Sequence, residues 1–586
     1  MKFKKITTRQ FKKISDRVKK KKDETWVSAT KTHNYMINDT LTDWLKLYSK
    51  NKIVNTPNKV NNNEPGFNSF LSNKGIEFEK VFVKYIKDTY PNSCIKVADF
   101  YSVKDANRTF KYMSQGVPIL YSAPVYNALN KTHGNIDLLI RSDYINKIFK
   151  NTLTIQEESI KAPNLHGTYH YRVIDIKYST LKLASDGIHM LNSNRNPAYK
   201  SQLYIYNEAI SLYQGYNPNV AYLCGRRWYY TSKNKTYSGE NALDRLGSVN
   251  FEGYDKDIVQ RSNDAIEWYR TVANEGVNWN TYPPTNENMY PNMCVDSGKW
   301  NNMKNKIANN IGEISMIWNC GNKQKKSAFS KGVKSWKNKK CNSKILGFKQ
   351  DTKQSKIVDA IIKINRDNCD NILPDKISNN LLKWKTEINN EIFIDFETFS
   401  DLCDNFGEFP KQRSFNIIYM IGIGMKDNEG KWIYKSFICD KPTRENELQI
   451  ITEFYEFYNS LNKPPAYYWH AEENIWRKSC KNTEFENMKL NWIDMSKIFR
   501  EEPITIKGCF GFGLKQIANK MKEYGMIDTI LESECSNGMM AMIKAWKCYN
   551  NMSDPKNSPI MKDIEKYNEF DCKALFDIMK YIRTKV

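Results

Sequence analysis

The sequence predicts an α/β protein built from two unlike domains joined by a mostly helical linker. Three observations carry that expectation. The 586 residues exceed the roughly 100 to 200 typical of one domain. Two strand-like runs with paired charges, YRVIDIKY at 171–178 and EIFIDFETFS at 391–400, each stand among helical patterns. Between them, from about 250 to 386, the text turns helical and lysine-rich. The expected divisions are a basic arm and helix at 1–69, a first α/β domain at 70–249, a helical connector at 250–386 and a second α/β domain at 387–586.

Hydrophobic residues at 40% and aromatics at 13% suit a globular chain with sizeable cores. No apolar run reaches the ~18 residues of a membrane span, and the N-terminus, MKFKKITTRQFKK, lacks the apolar core of a secretory signal. A soluble intracellular protein with no membrane partner is expected, the choice between cytoplasm and nucleus staying open. The formal charge of +24, with pI near 9.2, points to a polyanionic partner, nucleic acid first. Part of that charge is also what an Asn-, Lys- and Ile-rich coding bias would produce. Thirteen cysteines, an odd number with no C-x-x-C pair, exclude a dense disulfide scaffold and argue against a locally spaced zinc or iron-sulfur site. Free thiols in a reducing compartment are expected.

Taken in order, the segment up to Glu24 is too lysine-rich to bury itself and reads as a solvated basic helix, with a phosphate-binding arm or an import signal as alternatives. Residues 26–48 read as helix, and the Asn- and Pro-rich stretch after them as a loop. From Gly75 a helical pattern carries the apolar stripe Phe78, Val81, Phe82 and Tyr85. Glu79 lies beside that stripe, where a carboxylate is unusual unless a cation meets it. Gly134 to Arg141 reads as a turn entering a strand, with Asp137 near its start. In YRVIDIKY, Asp175 and Lys177 are two apart and so share one face of a strand. In the helix that follows, Gln202 and Tyr206 are one turn apart. After Pro218, VAYLCGRRWYY reads as another strand.

This ordered set resembles the PD-(D/E)XK nucleases, restriction-endonuclease-like in fold, and within them the RecB-like branch, over about residues 70–230. The resemblance implies that Glu79, Asp137 and Asp175 bind Mg²⁺ or Mn²⁺, helped by the Ile176 carbonyl. It also implies that Lys177 positions the attacking water and that Gln202 and Tyr206 shape the site. Carboxylates are hard oxygen ligands suited to those ions.

The connector contains an amphipathic helix (QRSNDAIEWYRTVANEG), an irregular YPPTNENMYPNMC and a helix–turn–helix pattern with many lysines. It reads as an interdomain spacer, with a helical contact to a nucleic-acid backbone as the alternative.

In EIFIDFETFS, alternation places Asp395 and Glu397 on one face of an apolar strand, with NIIYMIGIGM suited to pair beside it. Near the C-terminus, IEKYNEFDCKALFDIMKYI is an amphipathic helix with Tyr567 and Asp571 on one side. These residues, with WIDMSKIFR and GFGLKQIAN between them, resemble the DnaQ-like, DEDD-type exonucleases of the RNase H-like fold over about 388–584. The resemblance implies that Asp395, Glu397 and Asp571 bind metal and that Tyr567 orients water. The chain departs from the family at the second aspartate motif, YYWHAEENIW, where Glu473 takes the aspartate's place and Glu472 is the alternate. Together the two resemblances are similar to a group of two-domain RecB-family nucleases. They imply Mg- or Mn-dependent hydrolysis of DNA, before RNA, by exonuclease action in repair, recombination or genome processing. The alternative is a nucleic-acid-binding or packaging protein on degenerate nuclease folds. His133 and His470 have no second histidine at ligand spacing and are read as structural; Trp26, Trp228 and Trp476 are read as core.

Overall fold

A computed structural model describes residues 25–52, 67–150, 152–379, 381–388, 390–412 and 416–586. The lysine-rich arm and most of the Asn- and Pro-rich loop after it lie outside the described residues. The chain forms two compact units. Among the described residues, unit 1 comprises those within 25–52, 71–303 and 404–412, and unit 2 those within 67–70, 304–403 and 416–586. The expected connector at 250–386 is therefore not a separate body. Its first part, including the amphipathic helix, belongs to unit 1, and its lysine-rich part belongs to unit 2.

In unit 1, helix α1 (Phe67–Thr89, part of this unit from Leu71 on) precedes strand β1 (Cys94–Lys96), helix α2 (Val103–Ser114) and an antiparallel run of β2 (Ile119–Asn127), β3 (Thr132–Arg141) and β4 (Tyr171–Lys182). Helix α3 (Asn196–Gln214) then returns the chain to β5 (Val220–Ser232), which pairs parallel to β4. Strands β6 (Lys235–Gly239) and β7 (Gly247–Asn250) flank β5, and helix α4 (Lys256–Glu275) follows. Strand β4 is central and carries buried apolar side chains on both faces, Val173 on one and Ile174 and Ile176 on the other. Its neighbours divide by alternation. Ile174 and Ile176 pack with Phe78, Phe82 and Ile86 of α1, whereas Val173 packs with Leu203 and Ile210 of α3. Asp175 has the parity of Val173, so it faces α3. Helix α3 starts with Pro197 in its first turn and ends at Gly215 in the left-handed conformation, φ 70°. The α1 stripe is completed from far downstream: Phe406 and Phe409 of the 404–412 segment pack on Phe78, and Phe409 also on Phe82 and Tyr85.

In unit 2, helices α5 (Asn322–Phe329) and α6 (Lys353–Arg366) precede β8 (Ile392–Phe399), β9 (Ile417–Lys426) and β10 (Trp432–Ile438). Helix α7 (Arg444–Ser460) leads to β11 (Pro465–Tyr468), α8 (Glu472–Cys480) and β12 (Asn491–Asp494). The chain closes with α9 (Leu514–Glu523), α10 (Gly538–Asn551) and α11 (Pro559–Arg583). The five strands lie in the order β10-β9-β8-β11-β12, the first three antiparallel and the last two parallel to β8. Ile392, Ile394 and Phe396 of β8 pack with Ile450 and Phe454 of α7. Phe393, of opposite parity, packs with Phe570, Leu575 and Ile578 of α11. Asp395 and Glu397 share Phe393's parity and so open toward α11. Ser558 caps that helix by accepting from the Met561 amide at 3.1 Å, and Pro559 fills its first position. All thirteen cysteines are free thiols, most of them buried. Among the described residues no helix is long and apolar enough to cross a membrane.

Candidate active site

The unit 2 site is set by β8 and α11. The strand projects Asp395 and Glu397 two residues apart, and the helix brings Asp571 against them. Carboxylate oxygens of these three lie within 4.8 Å of one another, and among the described residues no other group of three acids, histidines or cysteines meets so closely. Burial raises all three carboxyls. Glu397 is pushed up to about 8 by burial and then by Asp571, with Lys515 and Asn568 opposing. Asp571 rises to about 6 through burial, offset by Lys515. Asp395 is held well above the usual range by burial, then by Asp571, Glu397 and Glu472. Like charges confined in a low-dielectric pocket resist ionisation unless a cation joins them.

Two residues not singled out from the sequence complete the cluster. Lys515, in the first turn of α9, pairs with Asp571 at 3.0 Å, and its Nζ donates to the Tyr567 hydroxyl. Its signal was its place in GFGLKQIAN. Asn568 donates to Asp395 Oδ2 at 2.7 Å and accepts from the Tyr434 hydroxyl at 2.9 Å. Asn568 is reached across Gly422, the Cα partner of Asp395 in β9; a Cβ there would overlap Asn568 Oδ1. Tyr567 lies one turn before Asp571, buried, with its hydroxyl taken by Lys515.

The second-motif glutamate requires a correction. Glu473 points away from the acids: it accepts from the Tyr468 hydroxyl and from Arg477, each at 2.9 Å, and its side chain is 32% exposed. Glu472 is the buried one, and its charge acts on both Asp395 and Glu397. Its carboxyl rises to about 8, through burial first and then Asp494 and Asp571 against two backbone hydrogen bonds. The reason is helical phase: α8 begins at residue 472, and the next side chain is turned about 100° around the axis. His470, expected to be structural, is exposed with φ 84°.

In unit 1, alternation turns Asp137, Asp175 and Lys177 toward α3. Lys177 Nζ lies 2.6 Å from Asp175 Oδ2 and 3.8 Å from Asp137 Oδ2. Asp137 Oδ2 also accepts the Ile176 amide at 2.8 Å, which ties β3 to β4 at the site. Gln202 Nε2 donates to Asp175 Oδ1 at 3.3 Å and to the Tyr206 hydroxyl at 2.8 Å. The Tyr206 ring lies over Gly134, where a Cβ would strike it. Asp175 is pushed up to about 8 by burial and Asp137, with Lys177 opposing. Glu79 rises to about 7 through burial and Asp137, opposed by Lys177 and Lys96, the cations its position on α1 called for. The six residues are thus neighbours, but Glu79, Asp137 and Asp175 do not close into a trio as tight as that of unit 2.

The donor set of unit 2 is all carboxylate, which suits Mg²⁺ or Mn²⁺ rather than a thiolate- or imidazole-seeking metal. Asp571 Oδ1 is buried with no hydrogen-bond partner, which fits an oxygen awaiting a cation. The residues fit the group. A family profile described as the RNase_H superfamily matches residues 408–583, so the C-terminal region contains a domain of that superfamily. The matched span includes Glu472, Lys515, Asn568 and Asp571 and begins after β8, the strand of Asp395 and Glu397. No curated protein matches the chain.

Proposed function

We propose that the protein is a metal-dependent nuclease whose unit 2 hydrolyses phosphodiester bonds of DNA, with Asp395, Glu397 and Asp571 holding Mg²⁺ or Mn²⁺ and Glu472 completing the acid set. The observation that carries this reading is the close carboxylate trio, Glu397 and Asp571 buried and Asp395 half-buried, with its orphaned Asp571 oxygen, inside a unit whose superfamily acts on nucleic acid. Bound divalent cations supply a water of lowered pKa and relief of charge on the phosphate. Asn568 fixes the Asp395 carboxylate. Lys515 holds the Tyr567 hydroxyl in place, and its ammonium, beside Asp571, lies where an additional negative charge is met without repulsion. Exonuclease action in repair, recombination or genome processing is the form we favour.

Unit 1 is proposed as a second hydrolytic centre of the PD-(D/E)XK type, RecB-like. Its order of helix, antiparallel three-strand run, helix and parallel strand supports this, as does the Lys177–Asp175 pair at 2.6 Å. Here Lys177 orients water, Glu79, Asp137 and Asp175 hold the cation, and Gln202 and Tyr206 fix Asp175.

The test is incubation of labelled single- and double-stranded DNA and RNA with Mn²⁺ or Mg²⁺, using wild type, Asp395→Asn and Lys177→Ala. Cutting of DNA that each variant reduces supports two working centres. Intact substrates throughout, with binding retained, overturn the nuclease reading in favour of a packaging role.

A further inference from the structure

The lysine-rich part of unit 2 is built as a surface rather than a spacer. Residues 321–356 hold twelve lysines against a single acid, Asp351, while the whole chain has 89 basic to 65 acidic residues. Coding bias alone spreads lysines evenly; this excess is local. Lys323, Lys326, Lys339, Lys340, Lys344 and Lys349 are exposed, and none has an ion-pair or hydrogen-bond partner for its ammonium among the described residues. The backbone that carries them is fixed. Arg366 Nη1 donates to the Cys341 carbonyl at 2.9 Å, and Asp359 accepts from the Ser343 amide and hydroxyl, each at 2.7 Å. Beneath lies a compact apolar core of Ile314, Val333, Trp336, Leu346, Ile357 and Ile361. A run of unneutralised ammoniums held on a rigid frame costs self-repulsion that an anionic partner relieves.

The same module is fastened to the active site. The Trp318 amide donates to the Phe510 carbonyl at 2.7 Å, the Trp318 ring meets Phe512 edge-on, and Trp336 packs on Phe510. Asn365 of α6 bonds Gly508 at 2.8 Å and Cys509 at 3.0 Å. Phe512 in turn accepts from Trp469 at 2.9 Å, three residues before Glu472, and itself precedes Lys515 by three. The segment that aims Lys515 is thereby held between the basic module and the end of β11.

We infer that residues 321–356 form the docking surface of unit 2 for the sugar–phosphate backbone of a nucleic acid, which it holds in register with the acid cluster. The inference rests on the reading of unit 2 as a nucleic-acid enzyme. Exposed lysines contact phosphates and carry no base code, so binding is insensitive to sequence and strongly sensitive to salt.

Binding of fluorescent single-stranded DNA, duplex DNA and RNA to the full chain is measured in EDTA, without cleavage, across a salt series. Replacing Lys339, Lys340 and Lys344 together by Gln is expected to weaken binding at least about tenfold at physiological salt. It should also lower the slope of log K against log salt by about two to three, near one per lost phosphate contact. The same three changed to Arg should bind as wild type. Lys323→Gln with Lys326→Gln, on α5, is an independent second variant should the triple fail to fold. Lys104→Gln with Lys111→Gln, exposed on α2 of unit 1, is the charge-matched control. Unchanged slopes, or losses per charge equal to the control's, overturn the inference. So does an unchanged affinity for oligonucleotides accompanied by lost binding to phosphatidylserine vesicles, which would assign the surface to an anionic membrane. Patch-dependent binding by a chain that never cuts leaves this surface standing and overturns the proposed hydrolysis alone.

Discussion

Lys515 is the cation the unit 2 acids lean on, since its charge lowers the carboxyls of Asp395, Glu397 and Asp571 while burial raises them. Lys515→Ala is expected to cut kcat about 10²-fold and to move the acid limb of the pH–rate profile upward, whereas Lys515→Arg restores the profile in part. A kcat loss with an unmoved limb would mean that the ammonium does not tune these acids. The adjacent glutamates make a sharper comparison. Glu472→Gln should lower Mn²⁺-dependent cutting tenfold or more and Glu473→Gln by less than about twofold, because only the former is buried at the cluster; the reverse order would return the second motif to Glu473. The raised carboxyls also fix the direction of a stability effect. Glu397 and Glu472 titrate near 8 and Asp571 near 6 in the folded chain, against about 4 unfolded. Between those limits the folded state binds more protons, so these groups make the metal-free protein lose stability as pH rises from about 4 to 8. Mn²⁺, binding the ionised forms, should therefore raise Tm more at pH 8 than at pH 5.5. That difference should shrink in Asp395→Asn with Glu397→Gln; a Tm increment independent of pH in wild type would contradict it.

At the scale of elements, what the sequence made legible follows periodicity. Alternation placed Asp395 with Glu397 and Asp175 with Lys177 on single strand faces, and helical spacing put Tyr567 above Asp571 and Gln202 beside Tyr206. Each is a pattern inside one element, where covalent geometry alone fixes the relation. What stayed hidden depends on partners or on phase at a junction. Glu472 and Glu473 straddle the point where β11 gives way to α8, so one residue of phase decides which is buried. Asn568 is an unremarkable helix residue until the β8–β9 register sets Gly422 opposite Asp395 and opens the gap it fills. Gly422→Ala is accordingly expected to destabilise unit 2 by about 1–3 kcal/mol in denaturant unfolding, and to reduce activity by pushing Asn568 off Asp395. Shortening the clashing side chain in Gly422→Ala with Asn568→Ala should recover most of the stability but not the activity. If the double variant is as unstable as the single, the crowding lies elsewhere, with Tyr434 the next neighbour.

Across the whole molecule, sequence order and spatial grouping part company. The lysine-rich segment reads as linker because its lysines mask an apolar set of Ile314, Trp336, Leu346 and Ile361 too sparse for a clean period, yet it closes a core within unit 2. Residues 404–412 follow β8 in the chain and nevertheless complete the α1 stripe of unit 1, through Phe406 and Phe409 on Phe78. No local signal announces such a return, because its driving force is apolar area supplied by residues hundreds of positions away. Each unit still closes its own acid cluster from its own elements, which has a kinetic consequence. Asp175→Asn should leave the products of unit 2 unchanged, and Asp395→Asn those of unit 1, with ladder patterns on end-labelled DNA that differ between the two. If the two centres act independently, their rates add, so the summed initial rates of the two single variants should match wild type, and the double variant should cut nothing. A wild-type rate well above that sum would show instead that one centre prepares the end on which the other acts, and the comparison would then have to be repeated with the product of each variant supplied to the other.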